Sequence, residues 1–124
     1  MKKLVVSTFV LFVSSVFSSL VFLSSAWAAD TGAYLQINLK ISEKNRPAAA
    51  AVYKKYKQPF LAKVKQSTSK TLLINAAEVQ VLHGFENTTA AQNYLGTELF
   101  KNDVVRELKP LLDANPEILI YQAM

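Results

Sequence analysis

From Tyr34 to Ile41 the chain alternates without a break. Leu35, Ile37, Leu39 and Ile41 fall on one side, and Tyr34, Gln36, Asn38 and Lys40 on the other. A period of two fits an extended strand with one face buried, so the chain must build a sheet and must cover that face. The following segment supplies a cover. Pro47 suits the first turn of a helix, where a missing N–H costs nothing. After it Ala49, Val52, Tyr53, Tyr56, Phe60 and Val64 recur near helical spacing. Pro59 cannot donate to the helical ladder and crowds the preceding turn, which predicts a kink or a break into two short helices.

Gln66 to Lys70 reads as a loop. Thr71 to Ile74 and Val79 to Glu86 are two runs rich in β-formers, joined by Asn75 to Glu78, and they suit an antiparallel pair. Asn87-Thr88-Thr89 matches a glycosylation acceptor, and the same residues can cap a helix whose stripe is Ala90, Ala91, Tyr94 and Leu95. Gly96 interrupts that helix. A further helical stretch has Asp103 near its start and Val104, Val105, Leu108, Leu111 and Leu112 on its apolar side. Asn115-Pro116 ends it, and Glu117 to Tyr121 closes the chain as a strand. The order is strand, helix, strand, strand, helix, strand. This is the α+β, ferredoxin-like βαββαβ arrangement, an antiparallel sheet with helices on one face. The strands Val79–Glu86 and Glu117–Tyr121 carry bulk on both sides, so the bare face of the sheet also needs cover.

Ahead of this domain, Lys2 and Lys3 precede a long apolar run that ends in Ala26-Trp27-Ala28, the pattern of a secretory signal. Small residues at Ala26 and Ala28 place the cut before Ala29, giving a signal peptide over 1–28 and one domain over 29–124. The competing reading is an uncleaved anchor, because Leu4 to Leu23 approaches the roughly 20 residues that span a bilayer. Five serines between Ser7 and Ser19 dilute it. A cleaved signal makes the protein periplasmic or secreted, with membrane contact only through that segment before cleavage. The net charge of +5 falls to +3 once Lys2 and Lys3 leave, too little to argue for an anionic partner. The lysines from Lys54 to Lys70 spread around a helix and its loop as a solvated face, so no nucleic-acid partner is expected. There is no cysteine, so an exported domain of this size rests on burial alone, and pairing with a second copy is a common remedy. One histidine and scattered carboxylates do not make a metal site.

The run Val79-Gln80-Val81-Leu82-His83-Gly84-Phe85-Glu86-Asn87-Thr88-Thr89-Ala90-Ala91-Gln92-Asn93-Tyr94-Leu95 resembles the third strand and second helix of the dimeric α/β-barrel superfamily. Within it the chain looks most like the antibiotic biosynthesis monooxygenase-like domains. The resemblance implies a homodimer in which two sheets pack face to face across a two-fold axis, with a cavity in each subunit for a hydrophobic or aromatic molecule. It also implies, as an alternative, a cofactor-independent monooxygenase acting on a quinol-like or polyphenolic substrate. Where many relatives carry tryptophan at the end of the third strand this chain has Phe85, and where they carry histidine in the next helix it has Tyr94. The sole tryptophan, Trp27, lies in the signal. No cofactor is expected.

The candidate catalytic residues are His83 and Asn38. His83 is the one side chain that readily titrates near neutral pH and could deprotonate a phenol if it faced the cavity. Alternation places it with Val79, Val81 and Phe85 on a face that reads as core. Tyr34, Gln36 and Asn38, with Phe85, are the candidate ligand contacts, because pockets combine apolar walls with a few directional polar groups. The same strand side also reads as a solvated face. Tyr53, Tyr56 and Tyr94 read as core or interface rings.

Overall fold

A computed structural model of the chain describes residues 30–124. The signal peptide expected over 1–28, with Ala26 and Ala28, and the cut expected before Ala29 lie outside the described residues. Four strands, β1 (Ala33–Leu39), β2 (Ser67–Ile74), β3 (Val79–Phe85) and β4 (Glu117–Gln122), form one antiparallel sheet in the order β2-β3-β1-β4. This is the expected α+β, ferredoxin-like arrangement. Helix α1 (Arg46–Lys63) crosses from β1 to β2, and α2 (Thr88–Tyr94) follows β3. A third helical stretch, α3, starts as an α-turn at Glu98–Phe100, widens into a π-helix over Lys101–Leu108 and tightens to a 3-10 turn at Lys109–Leu111.

The register of central strand β1 sorts every side chain to a face. Leu35 pairs with His83 and Ile120, and Ile37 with Val81 and Ile118, all on the helix-covered side. Tyr34 pairs with Gly84 and Tyr121, Gln36 with Leu82 and Leu119, and Asn38 with Gln80 and Glu117, all on the uncovered side. Alternate residues of β1 are buried, as the alternation requires. The core joins Leu35, Ile37, Leu39, Val79, Val81 and Phe85 of the sheet to Ala49 and Phe60 of α1, Ala91 and Tyr94 of α2, and Phe100, Val104 and Leu108 of α3.

Several expectations are corrected. The loop expected at Gln66–Lys70 is strand from Ser67 onward, because β3 continues opposite it. Ser67 pairs with Phe85 and Lys70 with His83, across a bulge between Ser67 and Ser69. The reversal from α1 is completed at Gln66, whose φ of 63° is left-handed. Pro59 lies inside a single helix rather than dividing it, one turn from its end at Lys63. Val105, in the π-helical part of α3, is exposed rather than apolar core, and Asp103 is buried. Elsewhere the local chemistry is as read. Asn87 Oδ1 accepts from Ala90 N at 2.8 Å and caps α2. The Asn75 side chain accepts from Ala77 N and Glu78 N and closes the β2–β3 turn. Among the described residues no helix is long and apolar enough to cross a membrane.

Candidate functional site

Between sheet and helices lies a buried group of ionisable side chains. Lys70 on β2 donates from Nζ to Asp103 Oδ2 of α3 at 2.7 Å, and both residues are almost fully buried. Nζ also sits over the rings of Phe60, at 5.6 Å, and Tyr53, at 6.0 Å. Tyr53 fixes the strand beneath by donating to the Lys70 carbonyl at 2.8 Å. His83, opposite Lys70 on β3, packs against Phe60 and Tyr94 with centroids 5.1 and 5.4 Å apart. Phe60 and Tyr94 extend this aromatic layer to Phe85 and Phe100. Three atoms here have no hydrogen-bond partner among the described residues: His83 Nε2, Tyr94 OH and Asp103 Oδ1. A cavity of about 10 Å³, the room of one water, is lined by Lys70, His83 and Asp103 with Ile37, Val81 and Leu108.

Burial governs the protonation of this group. It drives the His83 imidazole down to about 3, helped by the Lys70 charge, so His83 is neutral at physiological pH. His83 Nδ1 is 3.4 Å from the Leu35 carbonyl, which can only accept, so this contact is a hydrogen bond in the tautomer that carries its proton on Nδ1. A base so far below neutral pH is a weak one. Burial also lowers the Lys70 ammonium and raises the Asp103 carboxyl, each opposed by the charge of its partner. The Tyr94 hydroxyl is pushed up by burial and then by Asp103.

Tyr94 also lines a cleft. Val64, Ala90, Tyr94 and Leu99 make its apolar wall, and Lys63, Lys65, Gln66, Asn93 and Thr97 supply the polar groups. Its volume, about 340 Å³, falls within the range of small-molecule sites. The cleft forms where the end of α1 and the turn at Gln66 meet α2 and the start of α3. It joins residues roughly 30 positions apart, and no local pattern marks it. Thr97 Oγ1 is already engaged, donating to the Tyr94 carbonyl at 2.7 Å and accepting from Phe100 N at 3.2 Å.

The candidate residues from sequence fall into two groups. His83 and Phe85 are in the buried layer on the helix side. Tyr34, Gln36 and Asn38 are on the uncovered face, so the sheet separates Asn38 from His83. Asn38 is the hub of a polar network there. Its Oδ1 accepts from Gln80 at 2.8 Å and Gln36 at 3.1 Å, and its Nδ2 donates to Glu117 at 2.9 Å. The same face also carries apolar side chains, with Tyr34, Leu82 and Leu119 half-buried and Leu73 and Tyr121 exposed, beside Ser69 and exposed Thr71 of β2. Among the described residues no three His, Asp or Glu side chains converge as a metal site would require.

No family model matches the chain, and no curated protein is similar to it. Solved structures do match. A monooxygenase from ActVA-Orf6 of Streptomyces coelicolor, in complex with the ligand nanaomycin D, superposes with a TM-score of 0.64 at 13% identity. The match covers 76% of this chain and 88% of that one. A candidate antibiotic biosynthesis monooxygenase from Caulobacter crescentus gives 0.64 at 17% identity, over 76% and 92% of the two chains. Rv0793 from Mycobacterium tuberculosis gives 0.63 at 14% identity, over 76% and 96%. The described residues therefore have the fold of the antibiotic biosynthesis monooxygenase-like proteins.

Proposed function

We propose that this chain is an exported member of that superfamily that pairs sheet to sheet with a second copy and binds a small apolar or aromatic molecule in the cleft over Tyr94. The observation that carries the reading is the cleft itself, with an apolar wall, a polar rim and a volume suited to a small ring system. The uncovered sheet face supports pairing, because Tyr34, Leu73, Leu82, Leu119 and Tyr121 gather there around Gln36. The signal-like segment supports export. A chain of residues 29–124, which holds every described strand and helix, tests the binding reading with the neutral fluorophore N-phenyl-1-naphthylamine. Saturable binding is expected, and Asn93→Trp, a change at an exposed position that fills the cleft, should abolish it. Absence of saturable binding, or binding indifferent to Asn93→Trp, contradicts the reading.

The likeness to a ligand-bound monooxygenase favours a second reading, a cofactor-independent oxygenase acting on a quinol. In this reading His83 would have to accept the substrate proton, and its burial and depressed basicity weigh against that. Oxygen uptake with a panel of quinols separates the two readings. Uptake above background that is lost in His83→Gln would favour the oxygenase.

A further inference from the structure

We infer that the cleft selects amphipathic anions, molecules whose apolar body lies against Tyr94 and whose negative group lies between Lys63 and Lys65. The inference rests on the cleft being the ligand site, and it adds the chemistry of the ligand. Lys63 ends α1 and Lys65 lies one residue before the left-handed Gln66, so the turn out of the helix brings two lysines to the lining of one cleft. Both lysines are exposed, and neither forms an ion pair among the described residues. No carboxylate lines the cleft. Glu86 is held nearby, its backbone N–H donating to the Gln66 carbonyl at 2.9 Å, but its side chain is not part of the lining.

The remaining polar groups agree in sign. The Gln66 and Asn93 amides line the cleft without a side-chain partner among the described residues and can donate to an oxyanion. Thr97 is already satisfied, so it adds shape rather than charge recognition. A neutral ligand leaves both ammonium groups to water, whereas a sulfonate or carboxylate would meet both. Exposed charge contacts contribute modestly and are screened by salt, so selectivity of about fivefold at low ionic strength is the scale to expect.

Two probes with the same aromatic body isolate the charge. 8-Anilinonaphthalene-1-sulfonate carries a sulfonate, and N-phenyl-1-naphthylamine is its neutral counterpart. In the 29–124 chain, Lys63→Gln combined with Lys65→Gln should weaken the sulfonate by about fivefold and leave the neutral probe within about twofold. Raising the salt should do the same to the unsubstituted chain. The Asn93→Trp variant should abolish the signal of both probes, which ties that signal to the cleft, and unchanged circular dichroism shows that each variant is folded. Equal response of both probes to the lysine changes, or exclusion of the sulfonate while the neutral probe binds, overturns the charge assignment and leaves the cleft as a neutral site. Failure of both probes to bind overturns the cleft reading and this inference with it.

Discussion

Lys70 and Asp103 are the pair on which the interior depends. Two charges out of water are tolerated only while they meet, so Asp103→Asn or Lys70→Met should each cost about 3 to 5 kcal/mol in urea unfolding. Replacing both with apolar residues should recover most of that loss, and a double-mutant cycle measures the coupling. His83 sets a dependence on pH. Its folded pKa lies near 3, below the 6.5 of an unfolded histidine, so the unfolded chain binds the extra proton between these values. Stability should therefore fall with decreasing pH from about 6.5 toward 3, by about 1.4 kcal/mol per pH unit relative to His83→Gln. Parallel pH curves for the two proteins would mean that His83 is solvated. Tyr94→Phe removes a buried hydroxyl with no partner among the described residues, so it should leave stability unchanged or raise it. A loss above about 1 kcal/mol would reveal a partner for that hydroxyl. The core placement of His83 was legible in the alternation of β3. The Lys70–Asp103 contact was not, because the residues are 33 positions apart and a carboxylate near a helix start ordinarily faces water.

At the scale of elements, legibility followed periodicity. β1 could be read residue by residue because one of its faces is buried along its whole length. The start of β2 was missed because Ser67, Thr68 and Ser69 carry no apolar signal. Their strand geometry comes from pairing with β3. In α3 the face was read correctly for Val104, Leu108, Leu111 and Leu112, which are buried or pack on the core, and wrongly for Val105, which is exposed while Asp103 is buried. Helix α1 shows the reverse case, a local breaker overruled by packing. Phe60 and Tyr56 anchor the last turns to the core, and Pro59 is carried along. Pro59→Ala restores one ladder hydrogen bond and should stabilise the protein by about 1 to 2 kcal/mol in thermal or urea unfolding. No gain would mean that the proline's effect on the unfolded chain offsets the missing bond.

For the whole molecule, the sheet divides two faces with different roles. The helix side holds the core and opens at the cleft, and the other side presents the Asn38 network beside an apolar patch. Leu119→Asp places a charge on the β4 side of that patch. It should turn a pair into single copies in sedimentation while leaving the monomer folded, and a single copy at high concentration before substitution would remove the pairing from the account. The sequence implied a sheltered cavity but directed attention to β1. The cleft lies at the far side of the sheet, made by chain segments that meet only on folding. A ¹⁵N–¹H correlation spectrum of the 29–124 chain titrated with N-phenyl-1-naphthylamine tests the central claim most directly. The account predicts saturable shifts centred on the amides of Val64, Gln66, Ala90, Asn93 and Thr97. Shifts centred instead on Gln36, Asn38, Gln80 and Leu119, or no saturable shifts, would contradict it.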